Sequence, residues 1–300
     1  MVSPLEMTDN SLKLKKVKLP DDIDYIGVYL TNRCFLSCPY CITNYNERYI
    51  NTKGLKELEP SEWIASLNRL ILPEGIPLTL QGGEPFLYRG IWDILENIRH
   101  KADILTALPP EVTVEKFKKL KTLDWNKRVS PYPTIRVSYH HGQNDYKSLI
   151  DRIRELQGIL SIGLFHIEHP AYPGLAEEIR AYAKERGVEF RTKAFLGEWQ
   201  GKTCARYKYD DACKGKITRK KVRCRNTVYP IGPNGLIYRC HSDLYARREN
   251  LALGCITNPD LKLDHQHTDC YNYGTCSPCD IKVKTNHLQE DGYTSVDIIF

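Results

Sequence analysis

The sequence predicts an α/β fold, a partial (β/α)6 TIM-like barrel followed by a C-terminal cysteine-rich, cluster-binding extension. Three observations carry this. From residue 25 onward, short apolar β-branched runs alternate with segments of helical periodicity. The alternation repeats six times before residue 197, as right-handed βαβ units in a parallel sheet require. After Gly197 it stops, and Cys, Gly, Tyr, Lys and Pro take over.

The expected strands are Tyr25 to Leu30, Pro77 to Gln81, Asp103 to Leu108, Thr134 to Tyr139, Ser161 to Ile167 and Glu189 to Phe195. Helices are expected between them at Pro60 to Leu72, Ile91 to Lys101, Val112 to Leu120, Tyr146 to Gln157 and Leu175 to Arg186. The first helix opens on E-P-S-E-W, with acidic groups and proline in its first turn. The fifth closes on E-R-G, where Gly187 suits a left-handed C-terminal cap. The domains read as an N-terminal segment over 1–21, the barrel over 22–197 and the extension over 198–300.

With 300 residues, 41% apolar and 27% charged, the chain has the composition of a folded protein with a large core. No secretory signal and no uninterrupted apolar run of spanning length is visible, so no membrane role and a cytoplasmic location are expected. A reducing compartment does not sustain a disulfide framework, and the eleven cysteines are odd in number, so thiolates holding metal or a cluster are the favoured explanation. The net charge of +6 includes basic runs at 13–18 and 216–223. Without a recognition-module signature, these read as solvated faces rather than a nucleic-acid surface.

Catalytic groups of β/α barrels sit on loops at the strand C-termini. Here Cys34, Gly82, Gly83, Glu84, Tyr139, His140 and His141 all follow expected strand ends. The stretch T-N-R-C-F-L-S-C-P-Y-C places Cys34, Cys38 and Cys41 in a C-x-x-x-C-x-x-C spacing. Zinc usually draws four ligands from paired knuckles. Three thiolates on a 4Fe–4S cluster leave one iron open to a substrate or cofactor.

The triplet after the first strand, C34-F-L-S-C38-P-Y-C41, and Q-G-G-E-P at 81–85 after the second resemble the radical S-adenosylmethionine (radical SAM) superfamily. The resemblance implies that the open iron is chelated by the amino and carboxylate groups of S-adenosylmethionine. An electron into the sulfonium then yields a 5′-deoxyadenosyl radical that takes hydrogen from an unactivated carbon. It further implies that the Gly82–Gly83 backbone approaches the methionyl part and that Glu84 accepts from the cofactor ammonium. Pro85 stiffens the turn, Tyr40 lies near the adenine and Ser138 meets the ribose or methionyl group.

In the tail, C224-R-N-T-V-Y-P-I-G-P-N-G-L-I-Y-R-C240 reads as a hairpin around its P-N-G turn, with a cysteine at each outer end. Together with the knuckle C276-S-P-C279 it offers four thiols for zinc or an auxiliary cluster. Behind such a barrel the pattern resembles a twitch or shortened SPASM extension, which implies one auxiliary 4Fe–4S cluster on Cys224, Cys240, Cys276 and Cys279. Cys270 competes for that set, because C270-x5-C276-x2-C279 also supplies three ligands. Cys204 and Cys213 read as structural thiols, with a second cluster using them as the alternative.

Cys255, in N-L-A-L-G-C-I-T-N, stands where such extensions often carry asparagine, and related epimerases use a cysteine to return hydrogen to a substrate radical. The resemblance therefore makes Cys255 a candidate catalytic hydrogen donor. His140, His141, His166 and His169 are candidate pocket acids or bases, and Arg191 and Lys193 candidate anion contacts. His265 and His267 are metal-spaced but sit in a polar loop.

The resemblance implies a radical SAM oxidoreductase or epimerase acting on a small polar, carbohydrate-like substrate or a peptide, with a ferredoxin- or flavodoxin-type reductant. Peptide modifiers of this type often carry an N-terminal leader-recognition domain of about eighty residues; the short segment before the first strand tilts the expectation towards a small substrate. The alternatives are a peptide-modifying maturase or activating enzyme and, in a different class, a non-enzymatic zinc or electron-transfer module.

Overall fold

A computed structural model describes residues 14–41, 56–118, 120, 132–209, 211–215, 220–286 and 289–300. Six parallel strands form its centre: β1 (Tyr25–Thr31), β2 (Leu78–Gly82), β3 (Ala102–Thr106), β4 (Ile135–Tyr139), β5 (Ile162–Glu168) and β6 (Phe190–Ala194). They lie side by side in chain order. Between them run α1 (Pro60–Asn68), α2 (Ile91–Asn97), α3 (Val114–Lys118), α4 (Tyr146–Leu156) and α5 (Leu175–Glu185). Every expected strand and helix of this region is present, most of them shorter by a few residues at one or both ends.

The local chemistry explains these limits. Helix α1 starts with a capping box in which Glu59 N donates to the Glu62 carboxylate at 2.8 Å. Helix α4 is capped by the Asp145 carboxylate, which accepts from Ser148 N at 2.8 Å. Helix α5 ends at Gly187, whose φ of +65° takes the left-handed cap.

Leu80 and Ile104, on neighbouring strands, are wholly buried in one large core that also takes the inward faces of the helices, including Trp63, Ile94 and Ile150. Apolar residues on both faces of a strand are what a parallel sheet covered by helices requires. Among the described residues, no helix is long and apolar enough to cross a membrane.

The extension does not stand apart. Strand β7 (Val222–Asn226) pairs antiparallel with β11 (Thr268–Cys270) and β12 (Val296–Ile299) in a small separate sheet. Strand β8 (Val228–Ile231) instead joins the main sheet, parallel to β1 with Val228 opposite Tyr25. Strands β9 (Leu236–Ile237) and β10 (Gly254–Cys255) continue outward from it. The P-N-G turn is thus the hairpin turn between β8 and β9, with Gly235 at φ +78°. Two short helices follow, α6 (His241–Tyr245) and α7 (Pro278–Ile281).

Extension residues therefore serve two cores. Tyr229, Ile231 and Ile237 belong to that of the parallel sheet, while Tyr207, Tyr209, Cys213, Tyr273 and Ile298 form a second one. The change of texture near residue 198 marks the end of the strand–helix alternation but not the end of the first core.

Truncation of Leu80 to alanine is expected to lower unfolding free energy by about 2–5 kcal/mol, read as a shift of the denaturant midpoint. The same change at half-exposed Ile299 is expected to stay within about 0.5 kcal/mol. Equal midpoints for the two variants would contradict the burial of β2.

Candidate functional site

A cavity of about 1620 Å³ runs along the parallel strands and is lined by residues near both of their ends. Its wall carries inward side chains from the first strand to the sixth, among them Tyr25, Gln81, Arg136, Ser138, Phe165 and Lys193. All three cysteines of the loop after β1, Cys34, Cys38 and Cys41, line it.

The loop is held by its own backbone and by the neighbouring rim. Leu36 N donates to Cys34 Sγ at 3.4 Å, Cys41 N to the Cys38 carbonyl at 3.1 Å, and Ser37 N to Gln143 Oε1 at 2.8 Å. Burial, reinforced by the neighbouring thiols, pushes Cys38 up to about 12, and burial also raises Cys34. Gathered thiols resist ionisation until a cation joins them, which is the donor chemistry an iron–sulfur cluster meets. The residues present therefore fit a cluster held by three cysteines.

The Gly82–Gly83 turn lines the same cavity, and its glycines are required by the chain beside it. A Cβ on Gly82, whose φ is +148°, would sit 2.1 Å from the Thr31 carbonyl oxygen. One on Gly83 would sit 2.3 Å from that of Arg33. Gly83 N donates to the Thr31 carbonyl at 2.9 Å and Glu84 N to that of Arg33 at 2.7 Å. The turn after β2 is thus stitched to the segment leading into the cysteine loop.

Glu84 departs from the sequence expectation. It is 1% exposed and is absent from the cavity wall. Its carboxylate accepts from Phe86 N at 3.1 Å, Thr106 Oγ1 at 2.7 Å and Ala107 N at 2.7 Å. Burial pushes its carboxyl up to about 7 against these donors. A side chain so placed ties the β2 turn to the end of β3. Pro85 is buried and opens the single helical turn that follows.

Tyr40 does face the cavity, tilted against His169 with ring centroids 5.2 Å apart and against His140 at 6.0 Å. Ser138 lines the wall from β4. Of the four candidate histidines, His140 and His169 reach the cavity, while His141 and His166 do not. Burial and the nearby Lys193 hold His140 down to about 4, so it is a neutral ring at physiological pH. Arg191 and Lys193 both line the wall.

Behind α6 and α7 lies a second pocket. Cys224, Cys240, Cys270 and Cys276 all line it. Cys279 does not, and faces the large cavity instead. A hydrogen bond with Cys224 lowers the Cys270 thiol and raises that of Cys224, while burial raises Cys240 and pushes Cys276 up to about 12. Burial disfavours the thiolates of Cys240 and Cys276, a cost that the cationic iron–sulfur core of a bound cluster would offset. Among the described residues, no three His, Cys, Asp or Glu side chains meet as closely as a single metal ion requires.

Cys255 lines neither space. It sits on β10 at the outer edge of the sheet, its Sγ 3.0 Å from Thr257 Oγ1. Cys255 therefore lies apart from the residues that line the two spaces. His265 lines the four-thiol pocket, and His267 lines neither space. His265 Nδ1 lies 3.0 Å from Tyr229 Oη, and His267 Nε2 lies 3.3 Å from Asp297. Cys204 and Cys213 stay outside both pockets. Of the basic runs, Lys13 and 216–219 fall outside the described residues.

Substitution of Gly83 by alanine is expected to lower stability by about 1–3 kcal/mol, because the new methyl overlaps backbone and not a movable side chain. It is also expected to reduce iron retained by the cysteine loop after anaerobic reconstitution. Iron content and melting equal to the parent would remove the stitch from the site.

Residues 28–160 match the family model described as the Radical SAM superfamily. Over 89 residues the chain is 32% identical to GTP 3′,8-cyclase of Clostridium perfringens (strain SM101 / Type A), covering 30% of this chain and 27% of the cyclase. Over 83 residues it is 32% identical to molybdenum cofactor biosynthesis protein 1 of Bos taurus, covering 27% of this chain and 13% of that protein. The chain thus spans about a quarter of the cyclase and less of the bovine protein. A solved structure described as hexahistidine-tagged anSMEcpe with bound AdoMet aligns at TM-score 0.48 with 14% identity, over 81% of this chain and 78% of that one. Residues 28–160, which match that family model, bear the cysteine loop and the Gly–Gly turn, and the family's cofactors are a 4Fe–4S cluster and S-adenosylmethionine.

Proposed function

We propose that the chain is a radical SAM enzyme that cleaves S-adenosylmethionine reductively and abstracts hydrogen from a C–H bond of a small polar substrate. The observation that carries this reading is a single cavity that unites the three-thiol loop, the Gly–Gly backbone and the polar inner wall of the sheet. The sheet reads as a partial (β/α)6 barrel, because its first and sixth strands line the same space.

Bound there, the cluster and S-adenosylmethionine supply an electron that breaks the sulfonium–C5′ bond and a carbon radical that takes the substrate hydrogen. The chain does the rest. Cys34, Cys38 and Cys41 hold the cluster, and the Gly82–Gly83 backbone and Ser138 receive the methionyl and ribose parts. Tyr40, against His140 and His169, stacks on the adenine. The enclosing wall keeps water from the reacting carbon. A ferredoxin- or flavodoxin-type protein supplies the electron.

The four-thiol pocket is proposed to hold an auxiliary 4Fe–4S cluster in a twitch-like extension, with Cys270 in the place first expected for Cys279. Oxidation follows as the favoured outcome, since such a cluster accepts the substrate radical's electron. Epimerisation through Cys255 is the less favoured outcome, since Cys255 is not among the residues lining the cavity. The sequence identity to GTP 3′,8-cyclase supports a second reading, in which the substrate radical closes a ring.

The test is iron and sulfide content together with 5′-deoxyadenosine formation, on protein reconstituted without oxygen and reduced with dithionite. About eight irons per chain, as two four-iron clusters give, with cofactor cleavage are expected. Zinc without cleavage would overturn the enzyme reading. Cys270→Ala is expected to fall to about four irons and Cys279→Ala to keep about eight; the reverse would return Cys279 to the ligand set.

A further inference from the structure

The four-thiol pocket draws its cysteines from three parts of the fold. One face of the small antiparallel sheet forms a wall: Cys224 and Asn226, two positions apart on β7, line the pocket together with Thr268, the partner of Cys224 on β11. Cys270 follows at the end of β11, in register with Val222. Cys240 comes from the N-terminus of α6, where its Sγ accepts from Asp243 N at 3.4 Å. Cys276 comes from the segment just before α7.

One buried carboxylate ties these parts together. Asp243 is 1% exposed, and it accepts from Arg239 Nε at 2.8 Å on one oxygen and from Arg248 Nη1 at 3.0 Å on the other. Arg239 Nη1 also donates to the carbonyl of Asp269 at 3.1 Å. Arg239 precedes Cys240 in the chain and Asp269 precedes Cys270, so one guanidinium joins the helix cysteine to the sheet cysteine. Arg248 Nη2 donates to Thr275 Oγ1, next to Cys276, at 3.4 Å, and Ser242 Oγ donates to the Thr275 carbonyl. These side-chain bonds use none of the thiols and leave all four to iron. Asn226 adds a second observation: its Oδ1 accepts from Val228 N at 2.9 Å, while its buried Nδ2 has no hydrogen-bond partner. A buried donor of this kind is costly until an acceptor is brought to it, and a cluster sulfur is such an acceptor.

We propose that Arg239 is the positioning residue of the auxiliary cluster: by joining Asp243 to the Asp269 carbonyl it gathers the helix and sheet cysteines, and its charge raises the cluster's potential. This rests on the preceding reading that the four-thiol pocket holds such a cluster. Arg239 lines the pocket beside the thiols. Its planar fork of donors bonds a carboxylate and a carbonyl at once, which the single ammonium of a lysine does not reproduce. Outer groups that orient metal ligands cost about tenfold to a hundredfold in metal affinity when they are removed. A positive charge beside an iron–sulfur cluster favours the reduced, more negative state, so its loss lowers the potential.

The experiment uses the full chain carrying Cys34→Ala, Cys38→Ala and Cys41→Ala, which removes the barrel cluster, reconstituted without oxygen. About four irons per chain are expected in this background. Arg239→Gln is expected to release that iron at a chelator concentration roughly ten- to a hundredfold lower. Its midpoint, in potentiometric titration followed by electron paramagnetic resonance, is expected to fall below that of the background. Arg239→Lys is expected to keep the background's midpoint, because the charge stays, yet to yield iron more easily, because the fork is lost. Equal chelator resistance or an equal midpoint in Arg239→Gln overturns the proposal, as does a midpoint in Arg239→Lys that falls as far as in Arg239→Gln. A background that binds no iron overturns the auxiliary-cluster reading itself, a failure distinct from the other three.

Discussion

The parallel pairing of Val228–Ile231 against Tyr25–Val28 is the constraint on which the rest of the site depends. Without it, β1 would be an edge strand with unpaired backbone groups beside the cavity. With it, β1 becomes an interior strand, and the chain that leaves β8 is forced to return across the mouth of the sheet. Helices α6 and α7 are delivered there, and His241, Tyr245, Cys279 and Lys282 become part of the cavity wall. The extension thus supplies part of the cavity wall. The Gly83 and Glu84 stitches to Thr31 and Arg33 then fix where, along that wall, the cysteine loop begins.

Much of this was legible in the sequence, for a physical reason. Strand and helix runs in a βα alternation are set by local periodicity, by the capping box at Glu59 and by the Gly187 cap, all readable within a few residues. The three-cysteine loop and the Gly–Gly turn are equally local. The tail was harder because its contacts are not local. Cys224 meets Cys270 across forty-six positions, through a three-stranded sheet whose strands give no periodic signal. The C-x-x-C spacing at 276 and 279 suggested two ligands to one group, yet Ser277 and Pro278 begin α7 between them. The turn sends Cys276 into one pocket and Cys279 into the other.

The placement of Glu84 and Cys255 away from the cavity wall was not legible in the sequence. A motif reports that a residue type is needed, not which side of the wall it serves. The Glu84 carboxylate answers the orphan N–H groups of Phe86 and Ala107 at the two turns it joins, a need created by the fold before any cofactor binds. Cys255 occupies a strand position that the sheet places at its far edge, which only the order of β8, β9 and β10 reveals.

The same topology explains how two cluster-type thiol groups come to lie back to back. Cys240 and His241 are consecutive, as are Cys279 and Asp280, and each pair places one residue in each compartment: Cys240 and Asp280 line the four-thiol pocket, His241 and Cys279 the cavity. The His241 Nδ1 to Asp280 Oδ1 contact, at 2.7 Å, ties α6 to α7 through the partition between them. On the cavity side the Tyr29 and Tyr245 hydroxyls meet at 3.1 Å beside the His241 ring. The wall is therefore one bonded side-chain pair thick. One hydrogen-bonded side-chain pair thus stands between residues that line the two spaces.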